Sequence, residues 1–426
     1  MKKWVNIVTT CLLMLAAPCT AKAENGINSP YTRFGFGQLA LPEMGIHKAM
    51  GGTGIATRNY NQIDMLNPAS YSTVDTLTFI LDMGLSLQST VFTEGTSRRL
   101  ARNASFDYIS TQFRLCPGLG MTMAYLPYSN VGYAYSNVQN VRQDDDGTVT
   151  STNSYTGEGG LHQAVIGLGW QPLRWLSIGV NGTYTYGYLE HRVDNTYSES
   201  YSSTSTISSR TKIYSADISG LSYDAGLHLI LGPEKERIVI GATYAPARQL
   251  TGQPYTVDYV ATSGIASSAD TIRHTPLALP ETLGAGLSWK HGDHLLLAAD
   301  ARLSRFSASE FFGSRGLDQW RAAIGMQYIP TYNRHNFLRC MHYRAGIHYA
   351  TPYYNVNGLA GPTEYGASIG IGIPILNRWN QRSTVNLSGQ YIHMHPASPA
   401  MMAENYFRLN LSVSFIENWF TKWRVN

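Results

Sequence analysis

Apolar and polar side chains alternate with period two in stretch after stretch of this chain. Leu77, Phe79, Leu81, Met83, Leu85 and Leu87 alternate with Thr78, Ile80, Asp82, Gly84, Ser86 and Gln88. Leu176, Ile178, Val180, Gly182, Tyr184 and Tyr186 alternate with Ser177, Gly179, Asn181, Thr183 and Thr185, and the same rhythm returns in 320–328 and 407–415. Period two places successive side chains on opposite faces of a strand, so each segment has one apolar and one polar face. The pattern predicts about fourteen strands, near 76–92, 104–116, 118–136, 160–171, 174–191, 211–231, 236–250, 280–290, 293–306, 316–330, 338–352, 362–375, 382–395 and 404–416.

The connections alternate in length. Cys116-Pro117-Gly118, Gln171-Pro172-Leu173-Arg174, Gly232-Pro233-Glu234-Lys235 and Lys290-His291-Gly292-Asp293 are short turns, whereas 137–159, 192–210 and 251–279 are expected to be long loops. Short turns at one end and long loops at the other mark an outer-membrane barrel with its short turns in the periplasm. Trp170, Trp175, Trp289, Phe415 and Trp419 lie beside the short turns, and Tyr133, Tyr135, Tyr184, Tyr186 and Tyr188 near the long-loop ends. Two aromatic girdles at the two membrane interfaces account for that placement. A soluble sandwich or propeller also alternates, but needs neither apolar stripes of ~9–11 residues so often repeated nor aromatic residues at their ends.

Composition narrows the class. Charged residues make up 14% of the 426 positions, roughly half the usual ~25%, which argues against a soluble enzyme. Beyond the first 23 residues no run approaches the ~18 apolar residues of a membrane-spanning helix. Residues 1–23 read as an export signal: Lys2 and Lys3, an apolar run from Trp4 to Ala17, and the small-x-small site Ala21-Lys22-Ala23, with Glu24 as the first mature residue. Pro18 before Cys19 fits a lipidated cysteine poorly. Removing Lys2, Lys3 and Lys22 leaves a charge near +1 from the 32 basic and 28 acidic residues, and nothing calls for nucleic acid. Cys116 and Cys340 remain, as two thiols or as one bridge.

Residues 24–75 lack strand alternation. Glu43 to Ala49 can form a short helix, followed by Gly51-Gly52-Thr53-Gly54 and, later, Asn67-Pro68-Ala69 just before the first strand. The glycines follow no strand and sit in no βαβ unit, so they are not a dinucleotide site. The run Ala49-Met50-Gly51-Gly52-Thr53-Gly54-Ile55-Ala56 with Asn67-Pro68-Ala69 resembles the FadL/TodX family of outer-membrane transporters for long-chain fatty acids and other hydrophobic compounds. Leu279-Pro280-Glu281-Thr282-Leu283-Gly284-Ala285-Gly286 and the last strand with Trp419-Phe420 are similar to that family as well. The resemblance implies a 14-stranded barrel closed by an N-terminal hatch carrying the Asn-Pro-Ala motif, although 24–75 is somewhat longer than the usual hatch.

Pro127 interrupts the third strand. Proline offers the ladder no N–H, so a mid-wall proline opens a gap or a bulge. The resemblance implies a lateral opening at this strand, formed here by Pro127, Tyr128, Ser129, Asn130 and Gly132, through which a hydrophobic ligand passes sideways into the membrane. An ordinary bulge at the upper rim is the other reading. The phase opposite the apolar stripes faces the lumen and includes Asp82, Asp224, His228, Asp300, Arg302, Arg321, Gln327, Arg344, Gln390 and Arg408. Arg302, Arg321 and Arg344 occupy three successive strands, and a guanidinium fork suits a carboxylate head group. Pairing with lumen acids or the plug is the alternative. Phe34 and Phe36, with Leu39, Leu41 and Met44, are candidates for the apolar side of a ligand site.

Chemistry motifs are scarce: there is no Gly-x-Ser-x-Gly, His-Glu-x-x-His or Cys-x-x-Cys. His393 and His395 share a strand face in phase with Leu387 and Tyr391, which places them in the outer interface and not in a metal site. Asp144-Asp145-Asp146-Gly147 lacks the terminal glutamate of a calcium loop. The sequence therefore predicts an all-β, monomeric transmembrane antiparallel barrel of about 14 strands: signal 1–23, plug 24–75, barrel 76–416 and periplasmic tail 417–426. It needs no catalytic residue, metal or cofactor. Diffusive uptake of a fatty-acid-like hydrophobic molecule, in contact with outer-membrane lipid, is the expected function. The competing expectation is a carrier or scaffold in protein secretion or surface assembly, with a protein of the secretion machinery as partner, a role the resemblance also covers.

Overall fold

The computed structural model describes residues 27–144, 147–197, 208–262, 265–330, 338–375, 383–399 and 401–418; the signal and the tail beyond 418 lie outside them. Fourteen strands form the wall: β1 Thr78–Glu94, β2 Ser97–Cys116, β3 Leu119–Asp144, β4 Gly147–Leu173, β5 Leu176–Tyr197, β6 Ser208–Leu231 and β7 Glu236–Ala245, then β8 Glu281–His291, β9 Leu295–Arg305, β10 Asp318–Tyr328, β11 His342–Ala350, β12 Thr363–Pro374, β13 Thr384–His395 and β14 Ala403–Asn418. Each pairs antiparallel with its neighbours in the chain, and β1 pairs with β14 from Thr78↔Asn418 to Thr93↔Ala403. That last ladder closes the sheet. Closure lets strands cross a bilayer, because backbone groups at an open edge would stand unpaired in hydrocarbon.

The alternation sorts the wall as the sequence predicts. Leu168, Ile238, Leu287, Ile324, Ile347 and Ile369 are exposed on the outside, while Asp82, His228, Gln327, Arg344 and Gln390 are buried inside. Trp170, Trp175, Trp289 and Phe415 are exposed next to the short turns, and Tyr184, Tyr186 and Tyr188 are exposed at the upper end. Tyr133 departs from its expected girdle position: it is buried, with its hydroxyl 3.0 Å from Nδ1 of His191. It lies above the register slip between Pro127 and Ser129, which inverts the phase of β3 and turns Tyr133 inward.

The expected loops at 137–159 and 251–279 are largely sheet. β3 to β6 run to between 22 and 27 residues, whereas ~9–11 span the membrane. Their upper parts stay paired, for example Tyr135↔Tyr155 and Thr156↔Arg192. The hairpin Tyr255–Thr262 with Ile265–Arg273 joins them by pairing with β6. Thr, Ser, Asn and Tyr predominate there and leave no continuous apolar stripe, so a reading keyed to hydrophobicity stops too early. Cys116 is exposed and Cys340 buried, and no disulfide joins them.

If Ile324 faces lipid near mid-height, Ile324→Arg should lower folding stability in a bilayer by about 2–4 kcal/mol. The folded fraction, read from mobility in cold detergent gels, checks this; an unchanged fraction contradicts the assigned outer face.

Candidate functional site: the plug and the wall it seals

The N-terminal segment fills the lumen from Ile27 onward. Ser29 accepts the Tyr31 N–H at 3.2 Å and starts a short 3-10 turn at Pro30, and its hydroxyl donates to the buried carboxylate of Glu404 at 2.8 Å. Helix α1, Gly45–Ala49, lies against β12 and β13. The Gly45 N–H donates to the Tyr108 hydroxyl at 2.7 Å, and that hydroxyl donates to Asp82 at 2.8 Å. Gly51 and Gly52 have φ of +70° and +85°, a left-handed backbone that glycine adopts without Cβ strain. This turn aims amides at the wall: Gly51 N–H at Ser368 Oγ, 2.9 Å, and Gly54 and Ile55 N–H at one oxygen of Asp300, 2.6 and 2.8 Å.

Asn67 accepts the Ala69 N–H at 3.0 Å and donates to the Ile55 carbonyl at 2.7 Å, so it caps one turn and ties it to another. Pro68 begins the following 3-10 turn, and the Ala69 carbonyl accepts from Ser177 at 2.8 Å and from Arg58 at 3.2 Å. The wall makes room with glycine. A Cβ on Gly226 would lie 1.9 Å from Asn67 Oδ1, and one on Gly179 would lie 2.2 Å from the Pro68 carbonyl carbon. Glycine at inward positions of neighbouring strands is the signal that a reading confined to hydrophobicity passes over: it marks where plug backbone presses on wall backbone.

The lumen charges are engaged individually. Arg321 bridges Glu43 of the plug and Glu364 of β12, each at 3.2 Å, and His348 meets the same Glu364 oxygen at 2.8 Å. Arg344 donates to Gln327 at 2.7 Å and Asn386 at 2.9 Å. Arg302 stands directly across from Arg321 in the β9–β10 register. Arg321 and Arg344 thus have separate partners in the lumen. Lys48 pairs with Asp107 at 2.6 Å, and Arg408 donates to Gln88 at 2.6 Å. Phe36 is fully buried between Tyr128 and Phe311, and Phe34 stacks on Tyr354 at 5.8 Å. They belong to a core with Leu161, Leu189, Ile218, Leu250 and Phe306 that closes the upper lumen. His393 lies 2.7 Å from Asn405, with its ring 5.8 Å from that of His395.

At Pro127 the wall comes apart. The β2–β3 ladder runs only from Cys116↔Leu119 to Ile109↔Tyr125, although both strands continue upward. The β3–β4 register slips between Pro127 and Ser129, so Tyr128 is the bulged residue. The N-terminal segment enters this opening as a short strand: Gln38 pairs with Asn130, Leu39 with Ser129, and the Ala40 N–H donates to the Tyr128 carbonyl at 2.8 Å. Thr32 Oγ accepts the Gly132 N–H at 3.2 Å. All five residues singled out around Pro127 thus border the segment that occupies the gap.

Two cavities flank the plug. The upper one, about 170 Å³, touches the gap and is bordered by Leu41, Glu43, Lys48, Asp107, Pro127 and Arg321. It is smaller than the ~300–1,000 Å³ of drug-sized ligand sites. The lower one, about 1460 Å³, opens at the short-turn end beneath the plug, and the two share no lining residue.

Asp300→Ala strips two buried amides of their acceptor and should cost about 2–4 kcal/mol, read as faster hydrogen exchange at 50–58 than in the wall; equal protection would contradict the anchor. His47 gives a pH test. Burial alone would lower its pKa, but Asp64 at 3.4 Å, with Glu43 and Asp300, raises it above 6.5. A raised folded-state pKa stabilises below the unfolded value and loses that contribution as pH rises through the folded one. Plug exchange should therefore speed up as pH rises above 6.5, and His47→Gln should flatten that dependence.

With this geometry in hand, solved structures sharing the fold can be compared. A FadL homologue from Pseudomonas aeruginosa superposes with a TM-score of 0.59 at 12% identity, covering 90% of this chain and 100% of that one. CymD, described as a monoaromatic hydrocarbon channel, gives 0.58 at 15% identity over 91% and 99%. The Pseudomonas putida toluene transporter TodX gives 0.57 at 16% identity over 90% and 100%. At these identities the likeness shows a shared β-barrel fold. No curated protein matches the sequence. A family distinct from those channels does: the model of the BamG family matches residues 1–426, and the chain belongs to the BamG family.

Proposed function

We propose that this chain is a sealed outer-membrane anchor, a scaffold or carrier for protein secretion or surface assembly, and not a solute conduit. One observation carries the reading: the lumen is filled. The plug is hydrogen-bonded to β5, β9 and β12, an aromatic and aliphatic core closes the upper end, and the upper cavity is small and bordered by ion pairs. A hydrophobic solute crossing the barrel would have to pass desolvated charges, at high cost. The tall sheet of β3 to β6 supplies surface beyond the membrane for a protein partner.

The second reading is uptake of a hydrophobic small molecule, with long-chain fatty acid as ligand and lateral exit beside β3. The unzipped β2–β3 ladder and the likeness to hydrocarbon channels favour it. It requires the 28–40 segment to withdraw from the gap.

Bilayer and cell measurements separate the two. The anchor reading expects no conductance from the purified chain, no growth defect of a deletion strain on oleate, and recovery from mild detergent in stoichiometric complex with protein. Pro127→Val, which restores a ladder donor, should leave oleate uptake unchanged. Co-purifying amphiphile together with an uptake defect in the deletion and in Pro127→Val would replace this reading with the second.

A further inference from the structure

We infer that the basin beneath the plug is a docking site for an acidic, partly apolar polypeptide segment presented from the periplasm. The inference deepens the anchor reading and rests on it.

The basin is lined by Arg58, Arg114, Arg174, Lys235, Arg237 and Lys290, against the carboxylates of Asp75, Glu234 and Asp293. Its cations are arranged against the interest of the fold alone. The β7–β8 register sets Arg237 directly opposite Lys290, and like charges in that position repel. Lys290 reaches Asp293 at 2.8 Å. Arg237 has no such relief: its Nε is buried and without a hydrogen-bond partner among the described residues. Arg58, on the underside of the plug, spends its donors on neutral acceptors, the Ala69 carbonyl, Ser72 and Gln171, at 3.1–3.2 Å. Burial, and then the charge of Arg237, pull its pKa down to about 9. Two guanidinium groups thus face one space with no carboxylate among the described residues bonded to either.

The shape selects the class of ligand. At about 1460 Å³ the basin exceeds the ~300–1,000 Å³ typical of small-molecule sites. Its cations stand apart around the wall, so one carboxylate or phosphate cannot engage them all. Arg237 and Lys290 share the strand phase of the buried Val239 and Ser288, which faces the lumen and not the lipid. Ile230, Val239 and Leu296 add an apolar floor between the cations. Carboxylates spaced along a chain, with aliphatic side chains among them, match this lining; arginine clusters read acidic motifs in this way.

The test uses the purified full-length chain in lipid nanodiscs and a fluorescein-labelled hexapeptide of alternating glutamate and leucine, followed by anisotropy at low ionic strength. Wild type should bind, binding should weaken with salt, and the double variant R237Q/K290Q should bind about tenfold or more weakly. Thermal unfolding of that variant should be unchanged or raised, because the substitutions remove a repulsion. The pair R98Q/R102Q, on the upper part of β2, should bind as wild type does. Absence of wild-type binding, equal binding by R237Q/K290Q, equal loss in R98Q/R102Q, lowered stability of R237Q/K290Q, or full displacement of the peptide by laurate would each overturn the inference. A barrel that binds no peptide and also conducts nothing loses the docking site while keeping the anchor reading; conductance or oleate uptake removes the anchor reading itself.

Discussion

Everything in this barrel follows from one constraint: a backbone N–H or carbonyl in hydrocarbon must be paired within the protein. Among the described residues, thirteen of the fourteen strand-to-strand joints comply by ladders interrupted at most by local bulges, but the β2–β3 joint does not. Above Ile109 and Tyr125 the two strands separate, and proline at 127 withholds a donor nearby. The N-terminal segment completes the wall there by pairing Gln38 and Leu39 with Asn130 and Ser129. The plug is thus part of the wall as well as a stopper. Its removal would expose strand edges in addition to emptying the lumen.

That double role explains how the segment is held. A stopper alone needs bulk; a missing piece of sheet needs registration. Asp300 fixes two successive plug amides, Asn67 ties two plug turns together, and Ser29 meets the buried Glu404 on the last strand. Glycines at inward wall positions let plug backbone approach wall backbone without an intervening side chain. The lumen arginines, which sequence alone leaves open as head-group donors, are drawn into this framework instead: Arg321 toward Glu43 and Glu364, Arg344 toward Gln327 and Asn386. A filled lumen favours a part played at the surfaces, and the two exposed ends differ. One is a tall polar sheet and the other a basic basin.

Particular residues show where sequence reading succeeds and stops. The alternation at 77–88 or 320–328 is legible because lipid on one side and plug on the other impose opposite chemistry on adjacent residues. It fails at 137–159, where β3 and β4 continue in water and no apolar face is required. It misplaces Tyr133, since the bulge between Pro127 and Ser129 inverts the phase of β3 above it. Phe36 is legible as apolar plug surface, but its burial against Tyr128 and Phe311 depends on chain segments far apart in sequence.

By itself, the sequence determined the all-β class, the fourteen strands and most of their inward and outward faces, because each is written in local periodicity and turn chemistry. The tertiary structure alone decided that the opening beside Pro127 is filled by 28–40, that Arg321 meets Glu43 and Glu364 while Arg344 meets Gln327 and Asn386, and that Arg237 and Lys290 stand opposed beneath the plug. Those outcomes depend on register between strands and on which plug atoms reach which wall atoms. No local pattern encodes such distances, since they arise only when the closed sheet brings its two ends and its stopper together.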